Sequence, residues 1–135
     1  MIYFDNAATT SVDPEVVRVY TALLKEYGNP DSLHALGRSS SRKMEESRRR
    51  IAEMIGAIPE EIIFIGSASE SNTLAIVGYA LANQHRGKHL ITSNVEHSSV
   101  RHAMEFLKQF GFEISELPIN EQGIITPEIV KEHMR

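Results

Sequence analysis

The run of small and polar residues at positions 66–71, Gly-Ser-Ala-Ser-Glu-Ser, has the composition of an anion-binding turn. It follows a short apolar run, residues 62–65, and precedes a segment whose apolar residues recur at helical spacing. The first N–H groups of a helix have no partner within it, and the helix dipole favours negative charge there. Small side chains let a phosphate approach these donors, and the Ser69 hydroxyl adds another. The pattern predicts phosphate binding, the alternative being that Ser69 and Ser71 only cap the helix.

The pair Glu96-His97 is a second candidate, because it follows another apolar run, residues 89–92, and begins another helix. Ligands of an open parallel sheet bind beyond the carboxyl ends of its strands, so we expect this pair and residues 66–71 at the same edge. An imidazole there can stack on a planar ring or transfer a proton. The alternative is a surface or capping histidine, one of the six in the chain.

The remaining polar segments say little by themselves. Residues 5–10 and 29–37 are loops rich in small and turn-forming residues, and His85 and His89 flank a turn and are expected to be solvated. We assign no metal site, since no His, Asp and Glu group has convincing ligand spacing. The arginines at 48–50 are expected to form one solvated helix face, because no aromatic residues interleave with them.

These candidates require a framework of alternating strands and helices. Helices are predicted to begin at Pro14 and near Arg38, with glycines at positions 28 and 56 ending them. Three apolar runs, residues 62–65, 89–92 and 112–117, are predicted as strands, each followed by a helix. The helix after the first strand should be well buried. This order predicts an α/β fold with a parallel sheet of about three strands and flanking helices.

Length and composition restrict the possibilities further. A chain of 135 residues with 41% apolar residues suits one ordinary domain. A net charge of −4 argues against nucleic acid or an anionic membrane as partner. The absence of cysteine excludes disulfides, thiolate zinc sites and a cysteine nucleophile within these residues. We find no signal peptide and no apolar run of the ~20 residues that a membrane span needs, so a cytoplasmic location is expected.

Taken in order, these segments resemble the front part of the cysteine desulfurases of the NifS and IscS kind, in the class V aminotransferase family of fold-type I pyridoxal-phosphate enzymes. The matching residues extend over essentially the whole chain and are 3–10, 28–30 with 32, 34 and 37, 63–64 with 68–72 and 74–76, 91–93 with 96–97, and 123–125. The resemblance implies an incomplete fold-type I large domain. Residues 1–13 would be an N-terminal segment, part of the family's small domain and active-site loop. Residues 14–135 would be the first portion of the large domain, which binds the cofactor.

The resemblance also implies the cofactor and its ligands. Pyridoxal 5′-phosphate (PLP) would place its phosphate at Ala68 and Ser69 and its pyridine ring against His97. Ser67 stands where the family often has Gly, which would narrow the turn if the backbone needed positive φ there. Thr73 stands where the family often has Asn and has no side-chain amide. The opening loop adds candidates near the substrate, which are Asn6, Ala7 and Ala8.

Several residues that the family's chemistry requires lie in segments outside these 135 residues: the cofactor-linking Lys, the Asp at the pyridine nitrogen, a Gln near the ring oxygen and the sulfur-accepting Cys. The resemblance therefore implies an N-terminal fragment of an enzyme that converts L-cysteine to L-alanine. The sulfur would pass on as an enzyme persulfide for iron–sulfur cluster or thio-cofactor assembly. We predict no desulfurase activity for the chain alone, and release of sulfide or alanine from L-cysteine would contradict this.

The expected partners are a complementing C-terminal half or a second copy of the chain, with a sulfur-acceptor protein for the complete enzyme. Two alternatives remain. A fragment of a related aminotransferase or selenocysteine lyase would share the same front part. A non-catalytic interaction protein could reuse the half-fold, for example by dimerising with a full-length relative.

Overall fold

The computed structural model describes residues 2–135 as six α-helices and a two-stranded sheet, and the chain divides into two compact units between Ile63 and Phe64. The α-helices are α1 (Pro14–Leu23), α2 (Ala35–Ile55), α3 (Ala68–Thr73), α4 (Tyr79–Ala82), α5 (Ser98–Lys108) and α6 (Pro127–His133). A π-helical segment, Leu74–Gly78, joins α3 to α4, and short 3₁₀ helices lie at Pro59–Glu61 and Gln84–Arg86. The strands are β1 (His89–Ser93) and β2 (Glu113–Leu117).

Capping residues set the helix boundaries of the first unit. The Asp13 carboxylate accepts the Glu15 N–H at 2.7 Å, and Pro14 occupies the first helical position of α1, as predicted. Helix α2 ends at Gly56, whose φ is 70°, also as predicted. It begins at Ala35 instead of near Arg38, because the Nδ1 atom of His34 accepts a main-chain N–H and caps the helix.

The loop before α2 is held by close main-chain packing. A Cβ atom on Gly28 would lie 2.6 Å from the carbonyl oxygen of Leu36, and one on Gly37 would lie 2.7 Å from that of Asn29. The Asn29 side chain accepts the Asp31 N–H at 3.0 Å, which closes the turn. Only glycine fits at positions 28 and 37, so the path of this loop is fixed by sequence.

The three consecutive arginines of α2 do not share one solvated face. Arg49 and Arg50 are exposed and bind Glu46 at 2.9 and 2.8 Å. The side chain of Arg48 is only 20% exposed, and its guanidinium donates to the carbonyl oxygen of Ile62. The prediction is wrong for Arg48, because successive helical residues point about 100° apart and three in a row cannot face the same way.

In the second unit, β1 and β2 pair in parallel, with His89 opposite Glu113 and Ser93 opposite Leu117. Helix α5 connects the two strands in sequence, which gives the predicted strand–helix–strand unit. The core of this unit is built by residues of the π segment, α4, α5 and the residue that precedes β2, namely Val77, Ala80, Ala103, Leu107 and Phe112. The predicted α/β class is confirmed.

The structure has two strands where about three were predicted. Ile62 has an extended backbone, with φ −97° and ψ 120°, but residues 62–65 form no strand. An apolar run becomes a strand only where a neighbouring strand completes its hydrogen bonds, and the sheet within residues 2–135 consists of β1 and β2 alone. Ile63 is accordingly 64% exposed.

Two burial predictions for this unit are also wrong. The helical run after residue 67 buries Val77 and Ala80 but exposes Leu74 and Tyr79, so one face is covered instead of the whole helix. His89 is half-buried, and its Nε2 atom lies 2.8 Å from the Ser115 hydroxyl on the paired strand. Its position in β1, opposite Glu113 of β2, removes it from the turn where it was expected to be solvated. No helix within residues 2–135 is long and apolar enough to cross a membrane.

Candidate functional site

The turn before α3 is organised by a reciprocal pair of side chain to main chain hydrogen bonds. The Ser67 hydroxyl accepts the Glu70 N–H at 3.2 Å, and the Glu70 carboxylate accepts the Gly66 N–H at 2.9 Å. This arrangement resembles a capping box. It differs in that the carboxylate accepts the N–H of Gly66, the residue before the cap, and not the N–H of the cap itself. Ser67 is therefore the cap, and the capping role considered for Ser69 and Ser71 falls to it instead.

The cap leaves two main-chain donors at the start of α3. The N–H groups of Ala68 and Ser69 lie in the first helical turn, and no acceptor for them occurs among residues 2–135. The Ser69 side chain is exposed, so its hydroxyl is accessible beside these donors. Ser67 has φ −161°, an extended conformation open to any residue, so its side chain imposes no backbone strain on the turn.

The loop after β1 is fixed at both ends. Ser93, the last residue of β1, is buried, and its hydroxyl donates to the Glu96 carboxylate at 2.9 Å. The Asn94 N–H donates to the carbonyl oxygen of Leu117 at 2.9 Å, which continues the hydrogen bonding of the sheet beyond β1. These bonds determine where the chain enters α5.

His97 lies at that entry point and caps α5. Its Nδ1 atom accepts the Ser99 N–H at 3.2 Å and lies 2.8 Å from the Ser99 hydroxyl. The capping role named as the alternative for His97 is therefore present. It occupies only Nδ1, while the residue remains exposed, so the cap is compatible with a second role for the ring.

A side-chain contact joins the two candidate segments. The Asn72 amide, on α3, donates to the Ser99 hydroxyl, on α5, at 2.8 Å. The two helices pack against each other in the same unit, which places the start of α5 beside α3. Sequence reasoning did not single out Asn72 or Ser99 as site residues, since they are 27 positions apart. Asn72 directly follows residues 66–71 and Ser99 lies two positions after His97, so the only local signal was a polar residue close to each predicted site segment.

The substrate candidates of the opening loop lie in the other unit. Asn6, Ala7 and Ala8 are exposed and form a turn in which the Ala8 N–H donates to the carbonyl oxygen of Asp5 at 3.1 Å.

Within residues 2–135 no three His, Cys, Asp or Glu side chains are grouped closely enough to hold a metal ion.

The donors of the second unit match the chemistry of a phosphate ester on an aromatic ring. Two free N–H groups and a hydroxyl at the start of α3 suit the phosphate oxygens. The exposed imidazole at the start of α5 suits a flat ring. The carboxylates of these two segments, Glu70 and Glu96, accept hydrogen bonds from the Gly66 N–H and the Ser93 hydroxyl. The residues present therefore fit PLP.

Comparison with known sequences supports the same assignment. The chain is 44% identical over 135 residues to the cysteine desulfurase IscS of Dictyoglomus turgidum, and 38% identical over 136 residues to cysteine desulfurase IscS 1 of Archaeoglobus fulgidus. These matches cover 99% and 100% of this chain, but 34% and 36% of the relatives. The chain thus spans about a third of the length of these curated relatives.

Solved structures of similar proteins share the fold. A NifS-like protein superposes with a TM-score of 0.91 at 32% identity, covering 98% of this chain and 37% of its own. DndA from Streptomyces lividans gives a TM-score of 0.82 at 38% identity, covering 99% of this chain and 38% of its own. The family model for class-V aminotransferases matches residues 2–135. The chain therefore belongs to the aminotransferase class-V family.

Proposed function

We propose that this chain forms the first part of the PLP-binding domain of a cysteine desulfurase and supplies one side of the cofactor site. The observation that carries the proposal is the pair of unpartnered N–H groups at Ala68 and Ser69, next to an exposed hydroxyl. His97, held by Ser99 at the start of the neighbouring helix, adds a ring that can stack on the pyridine. The names of the relatives supply the reaction class.

In this proposal, residues 14–135 are the first portion of the large domain and residues 1–13 belong to the small domain and active-site loop. Ala68 and Ser69 bind the cofactor phosphate, and His97 orients the ring and holds a proton at Nε2. Bound PLP acts as the electron sink for bond cleavage at the amino-acid substrate. Asn6, Ala7 and Ala8 are proposed near the substrate on the strength of the resemblance alone.

The residues that complete the chemistry must come from elsewhere. These 135 residues contain no cysteine, so the sulfur acceptor of the reaction is not among them. We propose that a complementing C-terminal segment, in the same or another chain, supplies it along with the cofactor-linking lysine. The complete enzyme would convert L-cysteine to L-alanine in the cytoplasm and transfer sulfur as a persulfide to an acceptor protein, for iron–sulfur cluster or thio-cofactor assembly.

One observation favours the second candidate, a non-catalytic interaction protein. No residue of α1 is buried, although the helix carries Val16, Val17 and Tyr20. Exposed apolar side chains in a contiguous set are typical of surfaces that another protein covers. Such a protein would associate through α1 and would not need to bind PLP.

Titration of the purified chain with PLP, followed by absorbance and calorimetry, separates the two functions. We expect saturable binding that Ser69→Ala and His97→Ala each weaken by about threefold to tenfold, because each removes one hydrogen bond or ring contact. Ser47→Ala and His102→Ala are matched controls on exposed helical positions outside the site. Equal effects of the site and control variants, or no saturation, would exclude the proposed cofactor site.

A further inference from the structure

The imidazole of His97 is contacted on one nitrogen by two groups of a single buried residue. Ser99 is 9% exposed, its N–H lies 3.2 Å from Nδ1 of His97, and its hydroxyl lies 2.8 Å from the same atom. A main-chain N–H can only donate a hydrogen bond, so Nδ1 must be the acceptor. In the neutral ring the proton then resides on Nε2.

The Asn72 amide sets the direction of the second contact. Its N–H donates to the Ser99 oxygen at 2.8 Å, and it cannot accept through the same nitrogen. The Ser99 hydroxyl hydrogen is therefore left for Nδ1 of His97. All three hydrogen bonds point the same way, from Asn72 through Ser99 to His97. Because Ser99 is buried, water competes little for these bonds.

We propose that Asn72 and Ser99 are positioning residues that fix His97 as the Nε2–H tautomer and fix the orientation of its ring. The inference deepens the proposed function, because it assigns the proton at His97 to the nitrogen that remains free. Nε2 is the atom from which the neutral ring donates a hydrogen bond to cofactor or substrate. Nδ1 is closed to exchange by the α5 cap. The neighbouring carboxylate, Glu96, accepts its bond from Ser93 instead.

Nitrogen-15 NMR of the purified chain without cofactor tests the inference, at about pH 9, where a histidine of ordinary pKa is neutral. We expect a pyridine-type signal for Nδ1 of His97 and a pyrrole-type signal for Nε2. Ser99→Ala removes the hydroxyl and should lower the ratio of Nε2–H to Nδ1–H tautomer by about twofold to tenfold, the range that one hydrogen bond is worth. Ser99→Thr keeps the hydroxyl and should leave the tautomer ratio close to that of the parent chain.

Asn72→Asp is the more discriminating variant, because the two side chains are nearly isosteric and the change reverses the direction of the hydrogen bond between positions 72 and 99. A carboxylate at position 72 accepts the Ser99 hydroxyl hydrogen, which then no longer reaches Nδ1. We expect a fall in the tautomer ratio at least as large as for Ser99→Ala. Asn83→Asp is the matched control, since Asn83 donates only to the carbonyl oxygen of Tyr79. A mixed tautomer in the parent chain, or equal ratios in Asn72→Asp and Asn83→Asp, would overturn the inference.

The same variants in a PLP titration keep this inference separate from the proposed function. If the tautomer responds as expected but the chain does not bind PLP, the positioning role stands and the cofactor site is lost. The opposite result is that PLP binds, that His97→Ala weakens PLP binding, and that Asn72→Asp leaves the tautomer ratio of His97 unchanged. The cofactor site then stands and the positioning role is wrong. Circular dichroism identifies any variant that does not fold. If Ser99→Ala is unfolded, Ser99→Thr is the folded variant that is compared with the parent chain.

Discussion

Single side chains at the start of α3 decide which groups are left for a ligand. Three serines lie close together there, and the sequence alone did not show which one caps the helix. The extended backbone of Ser67 turns its hydroxyl to the Glu70 N–H, and this frees Ser69. The departure from glycine at position 67 is therefore compatible with an anion site, because the turn needs no positive φ at that residue.

Gly37 offers a residue-scale prediction about the loop before α2. Gly37→Ala should destabilise the chain by about 1–3 kcal/mol, because the added methyl group meets main-chain oxygens that have no room to move. Urea denaturation measures the change. Gly78→Ala is the matched control: its methyl group would meet only the Leu74 side chain at 3.8 Å, and alanine should stabilise the helical position by about 0.5–1 kcal/mol. Equal stabilities of the two variants would contradict the packing described for Gly37.

Residue types predicted local structure well and distant contacts poorly. Pro14 and Gly56 stand where the structure starts or ends a helix, because caps act over a few neighbouring residues. Helix α1 is an exception, since it ends at Leu23, before the predicted Gly28. The bond between Asn72 and Ser99 was not predictable in the same way. It depends on how α3 packs against α5, which no pattern within either helix specifies.

At the scale of elements, the least predictable part was the apolar run at residues 62–65. Its composition is that of a buried strand, and its backbone at Ile62 is extended. Whether such a run joins a sheet depends on a neighbour to pair with, and composition carries no information about the neighbour. By contrast, β1 and β2 both lie within one residue of their predicted bounds, because a single helix brings them together.

Helix α2 carries a charge cluster whose effect on pH can be measured. Hydrogen bonds from Arg50 and Arg49 hold the pKa of Glu46 below its usual value of 4.5. A lowered carboxyl pKa adds stability above the unfolded value and loses it as the pH falls through the folded value. We therefore expect the Glu46 carboxyl to titrate below pH 4.5 in a carbon-13 NMR titration, with a small effect on stability because the group is exposed.

The matched variants are on the same helix. Arg50→Gln should raise the pKa of Glu46 towards 4.5, since it removes the donor that lowers it most. Arg38→Gln should leave it unchanged, because Arg38 lies more than two helical turns before Glu46 and its guanidinium donates to the carbonyl oxygen of Leu33. A Glu46 carboxyl that titrates at the same pH in all three proteins would contradict the ion pairs described for α2.

Among residues 2–135, more large apolar side chains are exposed than are buried in the core. Its large fully buried side chains, among residues 2–135, are Leu107 and Leu117, whereas all of α1 is exposed. Burial of apolar surface is worth about 25 cal/mol per Å², so covering these side chains is a substantial gain. The curated relatives are about three times as long as this chain.

We predict that the purified chain self-associates. Light scattering at tens of micromolar should show dimers or larger species of the purified chain. Replacing Val16 and Tyr20 by lysine should shift the chain towards monomer, because both lie on one exposed apolar face of α1. Thr21→Lys adds charge elsewhere on the same helix and should have a smaller effect. A monomeric parent chain would count against the prediction.

The central claim, that the start of α3 binds the cofactor phosphate, is tested most directly by NMR. Pyridoxine 5′-phosphate is the better probe, since it lacks the aldehyde with which PLP reacts at exposed lysines. We predict saturable shifts of the Ala68 and Ser69 amide signals, accompanied by shifts of the His97 ring. A folded chain whose amide signals at positions 68 and 69 stay unchanged while the probe is raised to millimolar concentration would contradict the claim.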